Sequence, residues 1–123
     1  MFYMILEIND ITYKEDIFLA LQSIGISRAT SSESRNIGQE LTDELTFFTG
    51  LFRSDKLKDD EKLMITAQVQ TTDQVKELLE NLREGGVDID SQDIITVTVI
   101  PAILTFNSVD GFHESDGSEK TDE

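Results

Sequence analysis

The most constraining feature of this sequence is a structural unit that occurs twice, about 60 residues apart. Each copy starts with an apolar run of strand length, continues with apolar residues at helical spacing, and reaches a glycine before a further strand-like run. In this alignment Met4 corresponds to Met64, and Gly25 corresponds to Gly85. Two tandem β-α-β units predict an α+β domain, with four antiparallel strands and two helices on one face of the sheet.

The first unit comprises a strand over residues 2–8, a helix, and a strand over residues 26–33. Thr12 with Glu15 matches a capping box, and Asp10 is a competing N-cap. Four apolar residues of the helix fall at i, i+3, i+4 and i+7 and therefore share one face: Ile17, Ala20, Leu21 and Ile24.

The second unit has strands over residues 62–69 and 94–100, and Thr71 with Gln74 again matches a capping box. The helix between these strands carries its own apolar face, formed by Val75, Leu78, Leu79 and Leu82. The βαββαβ order predicts the ferredoxin-like sandwich.

The last strand, IITVTVI, has isoleucine or valine on both parities of the strand alternation. This pattern predicts that both faces of the sheet are apolar, although two helices cover only one of them. A second copy of the chain is the simplest cover for the other face, so the sequence predicts a homo-oligomer.

The domain is expected to occupy residues 1–106, with a long connection over residues 34–61 between the two units. Two functions are open for the apolar part of this connection: it covers the domain's own core, or it docks a partner protein through Phe47, Phe48 and Phe52. Residues 107–123 contain six acids and one lysine among Ser and Gly, a composition that predicts a disordered acidic tail.

The formal charge of −15 excludes nucleic acid and anionic membranes as partners, because both bind clustered positive charge. No apolar run has the roughly 20 residues of a membrane span, and no signal peptide is recognised at the N-terminus. The chain has no cysteine and one histidine, so no metal site is predicted. The absence of cysteine suits a cytoplasmic protein. No acid, base and nucleophile constellation is present, so we expect that the protein is not an enzyme.

The segment GISRATSSESRNIG, residues 25–38, resembles a segment of the PII-like superfamily of nitrogen-regulatory signalling proteins. Members of that family carry a pattern similar to Gly-Val-x-x-Ala-Thr-x-x-Glu-Ser-x-Gly-x-Gly at this place. Six residues match it: Gly25, Ala29, Thr30, Glu33, Ser34 and Gly38. The segments LTFFTGLF and EKLMITAQV are also similar to the family, and the resemblance covers roughly residues 2–104.

The resemblance implies a homotrimer with ligand pockets between subunits, adenine nucleotides as the usual ligands, and a long loop that docks onto enzymes or transporters. Carried onto this chain, the pocket would be built from the second strand, the start of the connection and the loop after the second helix. The candidate ligand residues are Arg28, Thr30, Arg35, Asn36, Gly38, Gly85 and Gly86. Gly85 and Gly86 have an alternative role as the C-cap of the second helix.

The chain departs from the family pattern where phosphates would bind. Asn36 replaces a glycine, and Gln39 with Glu40 stands where nucleotide binders have Arg and Gln. The loop after the second helix has no lysine and presents Asp88, Asp90 and Asp93 instead. The expectation is therefore a small-molecule regulator without a firmly held nucleotide cofactor, and the alternative is a structural or interaction subunit whose pocket has degenerated.

Overall fold

The computed structural model describes residues 1–26, 28–38 and 61–115. The connection from 39 to 60, with Phe47, Phe48 and Phe52, lies outside the described residues. In chain order the elements are β1 (Phe2–Ile8), a 3-10 turn (Ile11–Tyr13), α1 (Lys14–Ser23), β2 (Thr30–Ser34), β3 (Lys62–Val69), α2 (Thr72–Glu84), β4 (Ile95–Pro101), β5 (Leu104–Asn107) and β6 (Gly111–Glu114).

Four strands form one antiparallel sheet in the order β2-β3-β1-β4, which confirms the predicted ferredoxin-like sandwich. β1 is a central strand, and its Leu6 lies opposite Ile65 on one side and Val97 on the other. We call the end of the sheet where β1 and β2 finish the upper end, and the opposite end the lower end. Both helices lie on one face.

The core fills the space between that face and the helices. Met4, Leu6 and Ile8 of β1 are fully buried, as are Ile17 of α1 and Leu78 of α2. Among the described residues no polar or charged side chain is buried, so burial of apolar surface supplies the stability of this layer without ionic interactions inside it.

Both helices end in the same hydrogen-bonded turn. The amide of Ile26 donates to the carbonyl of Leu21 in α1, and the amide of Val87 donates to the carbonyl of Leu82 in α2. The residue before each amide is a glycine in left-handed backbone, Gly25 at φ 85° and Gly86 at φ 90°. This is the Schellman motif, in which a glycine avoids the Cβ clash.

These turns correct the alignment of the two halves. The glycine that corresponds to Gly25 is Gly86, not Gly85, so the true offset is 61 residues. The buried face of β1 confirms this offset, because Met4 corresponds to the buried Ile65 rather than to Met64. A shift of one residue along a strand moves a side chain to the opposite face.

The second strand is shorter than the sequence indicated, since it begins at Thr30 rather than at residue 26. Ile26 is buried, and its amide belongs to the turn that ends α1. Its β-branched side chain therefore signals the apolar contact of a helix cap rather than the start of a strand.

The capping observed at the N-termini of the helices matches the capping predicted from the sequence only in part. Asp10 is the cap of the first helical segment, where its Oδ1 accepts from the Thr12 amide at 3.0 Å. The side chain of Thr71 makes no cap bond, but Gln74 Oε1 accepts from the Gln70 amide at 2.8 Å. Only the glutamine half of the predicted capping box is therefore present, and it reaches one residue further back than expected.

The prediction of two apolar sheet faces is wrong. Ile95, Val97 and Val99 of β4 pack against the core, whereas Thr96 and Thr98 are exposed on the open face. The sequence suggested a second apolar face largely because of Ile94, but this residue precedes the strand and is buried. The open face is therefore mixed, and its large apolar side chains are Tyr3, Ile5, Met64 and Ile100.

A disordered tail was predicted from Asn107, but the structure has a C-terminal hairpin there, in which β5 pairs with β6. Asn107 Oδ1 accepts from the amides of Val109 and Asp110 at 3.0 and 2.8 Å, and Gly111 has a φ of 83°. An asparagine that bonds forward and a glycine with positive φ form a turn between two short strands. Residues 116–123 lie outside the described residues.

No helix in the described part of the chain is long and apolar enough to cross a membrane.

We expect Leu78→Ala to lower the free energy of unfolding by about 2–5 kcal/mol, because a fully buried leucine leaves a cavity between α2 and the sheet. Urea unfolding monitored by circular dichroism measures this loss. Leu19→Ala is the control, since Leu19 is 65% exposed on α1 and its truncation leaves no cavity. Equal losses in the two variants would contradict the packing described.

Candidate functional site

A cavity of about 230 Å³ opens at the upper end of the sheet, where β2 finishes and β3 begins. We call it the β2–β3 cavity. Its lining combines three cationic side chains with two acids and three other residues: Lys14, Arg35, Lys62, Glu33, Glu61, Ile11, Ser34 and Leu63. Three of the chain's ten lysines and arginines are thus gathered at one place in a protein with a formal charge of −15.

The fold brings these cations together from three elements. Lys14 is the first residue of α1, and the Asp10 cap sets the helical turn that precedes it. Arg35 directly follows β2, and Lys62 is the first residue of β3, opposite Ser34 in the register. Because β2 finishes where β3 and α1 start, all three side chains lie at the same end of the domain.

Sequence reasoning identified Arg35 but missed Lys14 and Lys62. The signal for Lys62 was its place at the start of the predicted third strand, which an antiparallel register sets beside the end of the second strand. Lys14 had no comparable signal, since an exposed lysine in a first helical turn is ordinary. Asn36 and Gly38 follow Arg35 along the chain and are exposed.

Arg28 and Thr30, two further predicted ligand residues, lie at the other end of β2. Seven residue steps of nearly extended chain lead from Arg28 to Arg35, a span of about 23 Å. Arg28 Nη1 donates to Asn107 Oδ1 at 3.1 Å in the turn of the C-terminal hairpin. Thr30 Oγ1 lies 3.1 Å from Thr66 Oγ1. Within one chain these two residues do not share a site with Arg35.

Gly85 and Gly86 form the C-terminal cap of α2. The amide of Gly85 donates to the Asn81 carbonyl and that of Gly86 to the Arg83 carbonyl, each at 3.0 Å. These amides are therefore engaged with the helix, as the alternative interpretation of the glycine pair required. Neither glycine lines the β2–β3 cavity.

The three acids of the loop after α2 are paired. Arg83 holds Asp90 through two bonds, Nε to Oδ2 at 2.8 Å and Nη2 to Oδ1 at 3.0 Å. Asp88 accepts from the amide and hydroxyl of Ser91. Asp93 Oδ1 accepts from Asn9 Nδ2 at 2.9 Å, which ties the loop to the end of β1. The acids thus brace the loop's own conformation.

The pairing has an electrostatic consequence for Asp90. The hydrogen bond from Arg83, supported by its positive charge, lowers the pKa of the Asp90 carboxyl below the ordinary aspartate value. In the part of the chain that the structure describes, no group of three or more acids, histidines or cysteines could hold a metal ion. His113 lies in β6, with Nε2 3.1 Å from the Asp110 carbonyl oxygen.

Comparisons with known proteins address the fold. Neither a family model nor a curated protein sequence matches the chain. Two similar solved structures are CPII from Thiomonas intermedia K12 bound to ADP, AMP and acetate, and Arabidopsis thaliana PII bound to citrate. The first has a TM-score of 0.50 at 20% identity and covers 80% of this chain and 83% of its own. The second has a TM-score of 0.54 at 20% identity and covers 96% and 92%.

These similarities, together with the βαββαβ order and the sheet order, define the chain as a domain of PII-like fold.

We expect the Asp90 carboxyl to titrate below the usual aspartate range, and Arg83→Gln to return its pKa toward that range. Because the pKa is depressed in the folded state, the pairing stabilises the fold above the unfolded-state pKa, and this contribution is lost as pH falls through the folded value. Carboxyl-detected NMR titration measures both. Lys76→Gln, an exposed change on the same helix, is the control, and an Asp90 pKa that is the same in all three proteins would contradict the pairing.

Proposed function

We propose that this protein is a PII-like regulatory module that binds a small anionic effector in the β2–β3 cavity. The observation that carries the proposal is the meeting of Lys14, Arg35 and Lys62 there. With Glu33 and Glu61 included, the lining has a formal charge of +1, against −15 for the whole chain. The electrostatic potential at this cavity is therefore more favourable for an anion than that of the acidic surface around it.

The chemistry of the lining favours a carboxylate. An arginine guanidinium can hold a carboxylate through two parallel hydrogen bonds, and a lysine ammonium adds charge without fixing direction. A cavity of about 230 Å³ lies below the roughly 300–1,000 Å³ of pockets that enclose drug-sized ligands. Acetate, AMP, ADP and citrate, the molecules bound in the two similar structures, are all anions. A di- or tricarboxylate of the size of citrate is the class we propose for this chain.

A nucleoside triphosphate is a poorer candidate. Arg83 is the cation beside the loop after α2, and it is committed to Asp90. The amides of Gly85 and Gly86 are committed to the helix. A triphosphate on this loop would therefore meet Asp88, Asp90 and Asp93 without a compensating cation from the loop.

The module is proposed to act as a homotrimer in the cytoplasm, with neighbouring subunits adding walls to the cavity and contributing Arg28 and Thr30 from the lower end of β2. It would signal effector binding to a regulated transporter or enzyme rather than catalyse a reaction. The connection that carries Phe47, Phe48 and Phe52 leaves the sheet at Arg35 and returns at Lys62, so both its ends adjoin the effector.

The second candidate is a structural or interaction subunit whose cavity binds nothing. The observation that favours it is the presence of Glu33 and Glu61 in the lining, because each can neutralise a neighbouring cation. The two candidates differ in their response to anions.

Isothermal titration with citrate, acetate, ADP and ATP distinguishes them. For the effector module we expect citrate to bind, and Lys62→Gln to weaken its affinity about fivefold to tenfold, a loss of about 1–1.4 kcal/mol. Lys76→Gln is the matched control, since it removes a lysine on α2 outside the cavity. Absence of heat with every anion, or equal losses in both variants, would favour the structural subunit.

We expect ATP without a divalent metal to bind no tighter than hundreds of micromolar. Each uncompensated like charge in a partly buried site costs on the order of 1 kcal/mol or more, and 1.4 kcal/mol is tenfold in affinity. Titrations with and without magnesium check this, because a divalent cation could bridge the phosphates to the carboxylates. Micromolar binding of ATP in the absence of metal would overturn the electrostatic argument.

A further inference from the structure

A groove lies on the outer surface of the helical layer, between α1 and α2. Its volume is about 440 Å³, against about 230 Å³ for the β2–β3 cavity. Its lining comes from one face of α1, from the last turns of α2 and from the turn that follows α2. We call it the helix groove. It shares no lining residue with the β2–β3 cavity.

The floor of the helix groove is apolar. Ala20, Leu82 and Val87 line it, and all three also belong to the buried core. The small side chain of Ala20 leaves room between the two helices. Leu19 lies at the rim and is 65% exposed, which is more than any other large apolar side chain on either helix. An occupant of the groove would therefore gain apolar contact.

Polar contacts fix the spacing of the two helices that form the walls. Asn81 Nδ2 of α2 donates to Ser23 Oγ of α1 at 3.2 Å. Gln74 Nε2 of α2 donates at 3.2 Å to the carbonyl of Ile24, the residue that follows α1. The groove is thus formed before any occupant arrives, which lowers the ordering cost of binding.

The walls of the groove are acidic. Asp16 on α1 and Glu84 on α2 are its charged lining residues, and both are exposed. Between residues that the structure describes, neither of these two acids forms an ion pair. Arg83, the cation next to Glu84 in sequence, is bound to Asp90. A positively charged occupant would therefore meet two carboxylates without a competing cation from the lining.

Helix stability accounts for only one of these acids. Asp16 lies in the first turn of α1, where a negative charge interacts favourably with the helix dipole. Glu84 is the last residue of α2, where a negative charge opposes the dipole. The carboxylate of Glu84 and the negative end of α2 therefore add to each other at the upper end of the groove.

We propose that the helix groove docks an amphipathic helix of a partner protein that carries lysine or arginine beside an apolar face. This proposal goes beyond the effector site and does not depend on it.

The shape of the groove favours a helix as the occupant. Asp16, Leu19, Ala20 and Ser23 fall at i, i+3, i+4 and i+7, so they form a continuous ridge along α1. A third helix packs its own ridge into the groove between two helices at ordinary interhelical distances. α1 has ten residues and is about 15 Å long, which a partner helix of about three turns would span.

Charge favours a basic partner. Apolar residues of such a helix would cover Leu19 and the floor of the groove, while its cations would lie beside Asp16 and Glu84. The formal charge of −15 would also accelerate the encounter with a basic partner and repel an acidic one.

A designed peptide serves as the probe. It is an amphipathic helix of about four turns, with leucine on one face and with lysine and arginine at the edges of that face. Isothermal titration into the full chain at about 0.15 M salt suppresses nonspecific attraction between opposite charges. We expect the peptide to bind once per chain, and a peptide of the same composition in scrambled order to bind at least about tenfold more weakly. Equal affinities for the two peptides would contradict the proposal, as would no binding of the designed peptide.

Variants locate the docking surface. Asp16→Asn combined with Glu84→Gln should weaken peptide binding about tenfold, and Leu19→Ser about fivefold. Glu7→Gln combined with Glu114→Gln is the charge-matched control, because both acids are exposed on strands outside the groove. Val109→Ser, at a residue 78% exposed in the hairpin turn, is the apolar control. Losses in the control variants as large as those in the groove variants would show that the peptide binds elsewhere.

The single variant Glu84→Gln separates docking from folding. Because its charge opposes the dipole of α2, we expect this variant to melt at the native temperature or slightly above it while binding the peptide more weakly. A lower melting temperature, measured by circular dichroism, together with unchanged peptide affinity would assign Glu84 to stability instead.

NMR spectroscopy maps the contact. The amide shifts caused by the peptide should be concentrated in α1, in the last turns of α2 and in the turn after it, and shifts centred elsewhere would refute the assignment. If spermine, a polycation without an apolar face, binds as tightly as the peptide and loses the same affinity in the double variant, the groove takes a small polycation and the helical partner is wrong. Citrate binding is measured separately, since no groove residue lines the β2–β3 cavity, so failure of the effector site and failure of the groove are distinguishable.

Discussion

The fold depends on the position of β1 between two partners. This strand is hydrogen-bonded to β3 on one side and β4 on the other, and its alternate residues Met4, Leu6 and Ile8 are fully buried beneath the helices. Since the second half of the chain supplies both neighbours, neither half can form this sheet alone. This arrangement also determines which loops lie at the upper and lower ends of the sheet. Loops that are distant in sequence come together there because β1 aligns the strands that carry them.

Charged side chains are distributed differently from apolar ones. With no ionic group buried in the described part of the chain, acids and bases are sorted on the surface. The acids of the loop after α2 accept hydrogen bonds from Asn9, Arg83 and Ser91. The β2–β3 cavity collects cations from three elements. The two sides of the upper end therefore differ in charge: the acids of one are held in hydrogen bonds, and the other gathers the cations on which the proposed anion site rests.

The sequence predicted the larger elements well because their signals are local and redundant. Each helix repeats its apolar residues over two turns, and Lys62–Val69 is a strand with the predicted bounds. Its errors arose where one residue decides the outcome. Ile94 looked like part of an apolar strand but precedes it, and Ile26 looked like a strand residue but closes a helix. The C-terminal hairpin was not predicted, because the polar and acidic composition after Asn107 is typical of a disordered tail. Its turn depends on only one amide side chain and one glycine.

The candidate site was predicted less well for a physical reason. Arg35 could be identified because it lies in a recognisable segment. Lys14 and Lys62 line the cavity only because the fold brings α1, β2 and β3 together, and this cannot be read from the residues near them in sequence. Arg28 was assigned with Arg35 to a pocket between subunits because both lie in the segment that resembles the family. Within one chain, an extended strand separates residues by about 3.3 Å at each step. In the part of the chain that the structure describes, Arg28 is hydrogen-bonded to Asn107 at the lower end of β2 and Arg35 lies at the upper end.

The identical turns that end α1 and α2 bear on the origin of the domain. Leu21–Gly25–Ile26 and Leu82–Gly86–Val87 hold the same six-residue hydrogen-bond geometry at one constant offset, and the buried positions of β1 and β3 share that offset. This is the relationship expected of two descendants of a single ancestral half that was duplicated in tandem. The left-handed backbone at the end of each helix accounts for the glycine that both halves have at this position.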